Sequence, residues 1–180
     1  MIQLLFLLIY NLPRVLLLKI FYGKRAKINW IQRISPKCAL QIYGDGVLVI
    51  GKNCQIPAGC DLTVLRQGKI VLGERVIMNK YCLISSLGSI TIGDNCLIGP
   101  GVKIFDNNHR FSKKLGASKD LSIGTIRIGN NCWIASNAVI IKGADIGDNC
   151  VISAGCVING RIPAGSIVRP NTNYVIEEIR

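Results

Sequence analysis

The chain of 180 residues is long enough for one well-cored domain with a small appendage. It joins 49% hydrophobic residues to only 6% aromatics and 19 glycines, a mix that favours many short strands and tight corners over helices. The formal net charge of +12 implies an anionic partner, but no recognition-helix pattern, RNP-like run or zinc-finger spacing is present, which sets nucleic acid aside.

Residues 1–33 form an apolar and basic appendage. Residues 4–9 are wholly apolar, yet Asn11, Pro13, Arg14 and Lys19 interrupt any span long enough to cross a bilayer. No charge precedes the apolar run and no small-residue cleavage site succeeds it, so a signal peptide is disfavoured. Arg14, Lys19, Lys24, Arg25, Lys27, Arg33 and Lys37 all come before the first acidic residue, Asp45. Two readings fit: an interfacial element whose basic part meets an anionic membrane surface, or a helical cap on the open end of a repeat domain. The first places the protein on the cytoplasmic side, peripheral on the inner face of the membrane.

From residue 50 onward a six-residue unit recurs, as in IGKNCQ, IGDNCL, IGNNCW and IGDNCV. Leading aliphatics fall at Ile50, Ile56, Leu72, Met78, Ile84, Ile92, Ile98, Ile104, Ile128, Ile134, Ile140, Ile146, Ile152 and Ile158. Cys54, Cys60, Cys82, Cys96, Cys132, Cys150 and Cys156 share the fifth position, and Cys38 fits it too. That slot elsewhere holds valine or alanine, so the cysteines read as small interior residues, and neither a metal site nor disulfides are expected. Free thiols suit a reducing compartment. Such hexads mark a parallel β-helix, an all-β solenoid, over residues 34–167 with about five coils. Residues 168–180 are a C-terminal tail.

The main interruption is an inserted loop at residues 105–125, which carries His109, the chain's single histidine, near its root. A long excursion from a regular solenoid is usually functional or disordered. On the residues alone, His109 is either a general base or a solvated loop residue.

The block IGNNCWIASNAVIIKGADIGDNCVISAGCVI, preceded by the histidine-bearing insert, resembles the hexapeptide-repeat acyltransferases. It is most similar to the sugar O-acetyltransferases typified by galactoside and maltose acetyltransferases. The resemblance implies a left-handed coil, a homotrimer, and acetyl-CoA as cosubstrate in clefts between subunits. It implies His109 as general base for a sugar hydroxyl and the backbone amide of Ser136 as oxyanion donor. Asn79 matches an acceptor contact. Trp133, Ala135, Ser153, Ala154 and Gly155 match the cofactor cleft, with Trp133 also open to trimer packing. The family's acidic acceptor-binding position falls in SSLG, residues 85–88, with no carboxylate, so a simple galactoside is not the expected acceptor. The C-terminus departs from the pattern: Tyr174 and Glu177 stand where basic residues are usual. Lys142, Arg161 and Arg169 are left as the candidates for phosphate contacts. The activity implied is O-acetylation of a surface polysaccharide or lipid-linked glycan. An amino-sugar N-acetyltransferase, and a non-catalytic membrane-anchored trimeric scaffold, remain as alternatives.

Overall fold

Each hexad contributes one short strand and one corner, and three hexads close a turn, so every third strand stacks in parallel along the axis. The computed structural model describes residues 2–114 and 116–170, with side chains described from residue 9. The expectations for Tyr174, Glu177 and the end of the tail, and for most of the apolar run at 4–9, lie outside those residues and side chains. The chain forms a left-handed parallel β-helix with three flat faces. Face A runs from Ala26–Ile28 through Val47–Ile50, Lys69–Leu72, Ser89–Ile92, Thr125–Ile128 and Asp145–Ile146 to Arg161–Ile162. Face B runs from Arg33–Ile34 through Gln55–Ile56, Ile77–Met78, Leu97–Ile98, Trp133–Ile134 and Val151–Ile152 to Ile167–Val168. Face C runs from Ala39–Ile42 through Asp61–Val64, Leu83–Ser86, Lys103–Phe105 and Val139–Ile141 to Val157–Ile158.

Faces of seven, seven and six strands make six complete coils and the start of a seventh, against the five expected. The first coil begins at Ala26, ahead of the boundary expected at 34. Ala26 and Ile28 are buried and pair with Leu48 and Ile50, but three residues of alternation are too short to announce a strand. Inward residues stack in ladders such as Met78–Ile98–Ile134–Ile152–Val168. All fourteen leading aliphatics named above are buried.

All eight cysteines are free and buried. Their role is more specific than filling space. Cys54, Cys82, Cys96, Cys132 and Cys150 each place Sγ 3.1 Å from a corner carbonyl of the next coil, of Gly73, Gly99, Gly129, Gly147 and Pro163 respectively. The thiol is thus a small hydrophobe that still offers a weak donor to the neighbouring corner. Burial pushes Cys38 up to about 12 and Cys54 up to about 11, so both stay protonated at neutral pH. Corners need left-handed backbone, which asparagine tolerates. Asn53, Asn95, Asn131 and Asn149 hold φ between 55° and 58° at four of the A–B corners, and Arg75 takes the same conformation at the corner between those of Asn53 and Asn95.

The appendage is one α-helix, Ile2–Tyr22, with Pro13 inside it. Elsewhere, the amide nitrogens of each coil donate to carbonyls of the next, as Ala39 does to Cys60. Coil 1 has no preceding coil, and the helix substitutes for one. The Arg14 guanidinium donates to the carbonyls of Ser35 at 2.7 Å and Cys38 at 2.6 Å. Asn11 and Val15 are buried, and Leu18 and Tyr22 pack on the core. This face of the helix thus covers the open end of coil 1.

Candidate active site

The insert is not a loose loop but an antiparallel hairpin of Asn107–Ser112 and Gly116–Ile123, leaving the C–A corner between coils 4 and 5. Its residues show little apolar alternation because neither face covers a core. Instead its root is fixed by polar contacts. Asp106 is fully buried, and its carboxylate accepts from Ser86 Oγ at 2.5 Å, Leu87 N at 2.9 Å and Gly88 N at 2.9 Å. The SSLG turn, which has no carboxylate of its own, thus receives one from the coil above. Sequence reasoning missed this residue, since an aspartate beside a loop histidine gives no sign that it points inward.

His109 is exposed and pairs with Leu121 across the hairpin, next to a bulge before Phe111. Its Nδ1 lies 2.9 Å from the Ser118 carbonyl oxygen. A carbonyl can only accept, so Nδ1 carries the proton, and in the neutral ring Nε2 holds the lone pair. That is the tautomer a general base requires, set by a partner on the hairpin itself.

A second set of residues shares the B–C corner. Asn79 N donates to Ile98 O, Gly99 N to Ile134 O, Ala135 N to Ile152 O and Ser153 N to Val168 O. Asn79, Ala135–Ser136, Ser153–Gly155 and Arg169 therefore climb one column, coil by coil. The Asn79 side-chain amide also donates to Ile98 O at 3.2 Å, which ties it to the corner. Ser136 accepts from Gly155 N at 3.0 Å through its carbonyl, while among the described residues its own N–H has no hydrogen-bond acceptor. Gly99 lies directly beneath: a Cβ there would sit 2.6 Å from Ser136 N. Trp133 flanks the column on face B, half exposed, in register with Leu97 and Val151.

Two of the basic candidates stand elsewhere. Lys142 sits at the C–A corner, where its ammonium donates to Ser122 Oγ at 2.5 Å and its stem lies against Gly124; it braces the hairpin. Arg161 is on face A, in register with Asp145. Of the three, only Arg169 continues the column. The single-chain structure therefore forms two groups, a hairpin group at the C–A corner and a column at the B–C corner, separated by the width of face C. Among the described residues, no cluster of His, Cys, Asp or Glu could hold a metal ion.

Stacked hexads closed into a three-faced coil, with a histidine-bearing hairpin between two coils, define the class of hexapeptide-repeat transferases. The bacterial transferase hexapeptide model (six repeats) matches residues 125–160, and the hexapeptide repeat of succinyl-transferase matches residues 86–104. The chain is 30% identical over 131 residues to WcaF of Escherichia coli (strain K12), provisionally named a colanic acid biosynthesis acetyltransferase, covering 72% of this chain and 68% of WcaF. It is 40% identical over 110 residues to the galactoside O-acetyltransferase of the same strain, covering 61% of this chain and 54% of that protein. In fold it is similar to AntD, an N-acyltransferase from Bacillus cereus solved with dTDP and 3-hydroxybutyryl-CoA, with a TM-score of 0.66, 20% identity, and coverage of 86% of this chain and 81% of that one. The chain belongs to the hexapeptide-repeat acyltransferase family.

Proposed function

We propose that this protein is an acetyl-CoA-dependent O-acetyltransferase that modifies a sugar hydroxyl of a surface polysaccharide or its precursor, working as a homotrimer on the cytoplasmic side. The observation that carries the reading is the contact between His109 Nδ1 and the Ser118 carbonyl, which leaves Nε2 as the base. The likeness to O-acetyltransferases and to a protein named for colanic acid biosynthesis supports the acyl group and the acceptor class. Eight buried free thiols suit a reducing compartment.

In this mechanism Nε2 of His109 takes the hydroxyl proton as the sugar oxygen bonds to the thioester carbonyl carbon. A hydroxyl is a poor nucleophile unless its proton leaves as the bond forms. The tetrahedral oxyanion accepts a hydrogen bond from the Ser136 N–H. Collapse breaks the carbon–sulfur bond, and the imidazolium returns the proton to the departing CoA thiolate. Ser153, Ala154 and Gly155 carry small side chains, which let pantetheine approach the column's backbone.

Because the hairpin group and the column occupy different corners, the site is completed across a subunit boundary, with His109 from one chain meeting the column of the next. Face B is suited to such packing. From the third coil onward its outward ladder of Ile77, Leu97, Trp133, Val151 and Ile167 is apolar, beyond Arg33 and Gln55 in the first two coils, whereas over the same coils face A presents Lys69, Val71, Thr91, Arg127, Asp145 and Arg161.

The test incubates the purified protein with acetyl-CoA and a polysaccharide or glycolipid extract and tracks CoA release by chromatography. For His109→Ala the expected result is a loss of about 10² to 10⁴ in rate with acetyl-CoA binding retained. A variant as active as wild type removes His109 from the chemistry. No acetyl-CoA binding by either protein leaves only a scaffold.

A further inference from the structure

The face of the N-terminal helix turned away from coil 1 has no counterpart in the catalytic reading. Ile9, Leu12, Leu16, Leu17, Ile20 and Phe21 are between 48% and 75% exposed. At 100° per residue, with Tyr10 and Pro13, they span an arc of about 180° that contains no charge. A helix resting on a folded domain normally shows polar residues outward, so this arrangement is inverted. No helix among the described residues is long and apolar enough to cross a membrane. The arc can therefore lie on a bilayer but not span it.

Beside the helix end, a cavity of about 520 Å³ is lined by Lys19, Lys24, Lys27 and Lys52. These four come from the helix, the turn after it, coil 1 and the corner after the first strand of coil 2. Glu74 also borders the cavity, but its carboxylate is paired with Arg75 at 2.9 Å. The Lys19 ammonium lies 4.3 Å from the centre of the Trp30 ring, so an exposed indole and a cation share the rim, as suits the boundary between water and lipid.

We propose that the apolar arc and the lysine cavity together form one docking site for an anionic phospholipid bilayer. The arc enters the acyl boundary, and the cavity takes a headgroup phosphate. A second copy of the chain is the poorer occupant, because pairing two such faces sets lysine rim against lysine rim.

The experiment is flotation of the full chain with vesicles of phosphatidylcholine, with and without phosphatidylglycerol, at low and high salt. The protein is expected to float with the anionic vesicles, less so at high salt. Lys24→Gln, Lys27→Gln and Lys52→Gln should each weaken binding roughly fivefold. Lys69→Gln, an exposed lysine of face A outside the cavity, is the control that leaves it unchanged. Ile20→Asp/Phe21→Asp should abolish flotation without moving the melting temperature, since both side chains are exposed. Four outcomes overturn the proposal: no flotation, equal binding to neutral vesicles, variants that bind like wild type, or a mass in solution that falls in Ile20→Asp/Phe21→Asp while wild type ignores vesicles. The last would assign the face to contacts between copies. Flotation is read without turnover, so it stands or falls separately from the catalytic reading.

Discussion

Asp106→Asn probes how the solenoid holds its histidine. The wild-type carboxylate is fully buried, and both of its oxygens accept. Oδ1 takes Leu87 N and, at 3.3 Å, Asn107 Nδ2, while Oδ2 takes Ser86 Oγ and Gly88 N. Asparagine fits the volume but has a single oxygen. Whichever way the amide turns, its NH₂ opposes one backbone N–H, of Leu87 or of Gly88. Ser86 Oγ has one proton and two acceptors within reach, Asp106 Oδ2 and, at 3.1 Å, Lys69 O. In the variant it can donate to Lys69 O and accept from the amide, but the backbone N–H facing that NH₂ stays unmatched. Losing a charge-assisted contact and burying an unmatched donor costs about 2 to 4 kcal/mol. For a domain of this size that lowers the melting temperature by roughly 5 to 15 °C.

The core ladders do not run through Asp106, so Asp106→Asn should still fold. Its hairpin, however, would leave the corner at a changed angle. Misplacing a base by about 1 Å can cost on the order of 10² in turnover. The expected pattern is lower kcat with acetyl-CoA affinity kept, because the B–C column is untouched. Ser86→Ala removes one donor and should show a smaller shift in the same direction, about 1 kcal/mol. Calorimetry and the CoA-release assay read both effects. If Asp106→Asn melts with wild type and turns over at the same rate, the buried carboxylate does not position the hairpin.

Gly99→Ala would press a Cβ to 2.6 Å from Ser136 N and 2.8 Å from Ala135 C; displacing that amide should cost at least about tenfold in kcat/KM, and unchanged kinetics would remove Ser136 N–H from the mechanism. Alkaline stability should follow the thiols. Cys38 at about 12 and Cys54 at about 11 lie above an unfolded thiol near 9, so their contribution is complete below that pH and is lost as pH rises toward 11 and 12. The slope is about 1.4 kcal/mol per pH unit per thiol; melting scans should steepen above pH 9, and less so in Cys54→Val. Cys96→Val should cost less than about 1.5 kcal/mol, because Val76 and Val102 fill the same buried slot; a larger loss would show that the 3.1 Å contact to Gly129 O matters more than volume.

Hexad spacing was enough to read the faces, the inward ladders and the burial of the cysteines, because a repeat states the same packing demand many times. Ala26–Ile28 escaped notice because it states that demand once. Reading the hairpin as a loop had a different cause: its strands satisfy each other and have no apolar face to betray them. Asp106 and Lys142 show the deeper limit. One is a charged residue inside the insert and the other touches it, and sequence cannot tell the one folded inward over SSLG from a solvated neighbour, or show that the other donates to Ser122. His109 and Trp133 were legible as residue types in telling places. The division of the candidates between two corners was not, because it depends on how many residues each face consumes.

The axial order of these features links the two proposals. Coils stack about 4.8 Å apart, and the capping helix rests on coil 1 while the hairpin leaves coil 4. A chain lying with its helix on a bilayer would therefore hold His109 about 15 Å along the axis from that coil, well clear of the headgroups. An acceptor embedded in the lipid would not reach Nε2, whereas a sugar carried on the outer part of a lipid-linked glycan would. Membrane docking should accordingly favour long glycolipid acceptors over short ones. Ile20→Asp/Phe21→Asp should remove that preference while leaving turnover of a water-soluble acceptor unchanged. If the variant slows both acceptors equally, the helix is serving the fold and not the choice of substrate.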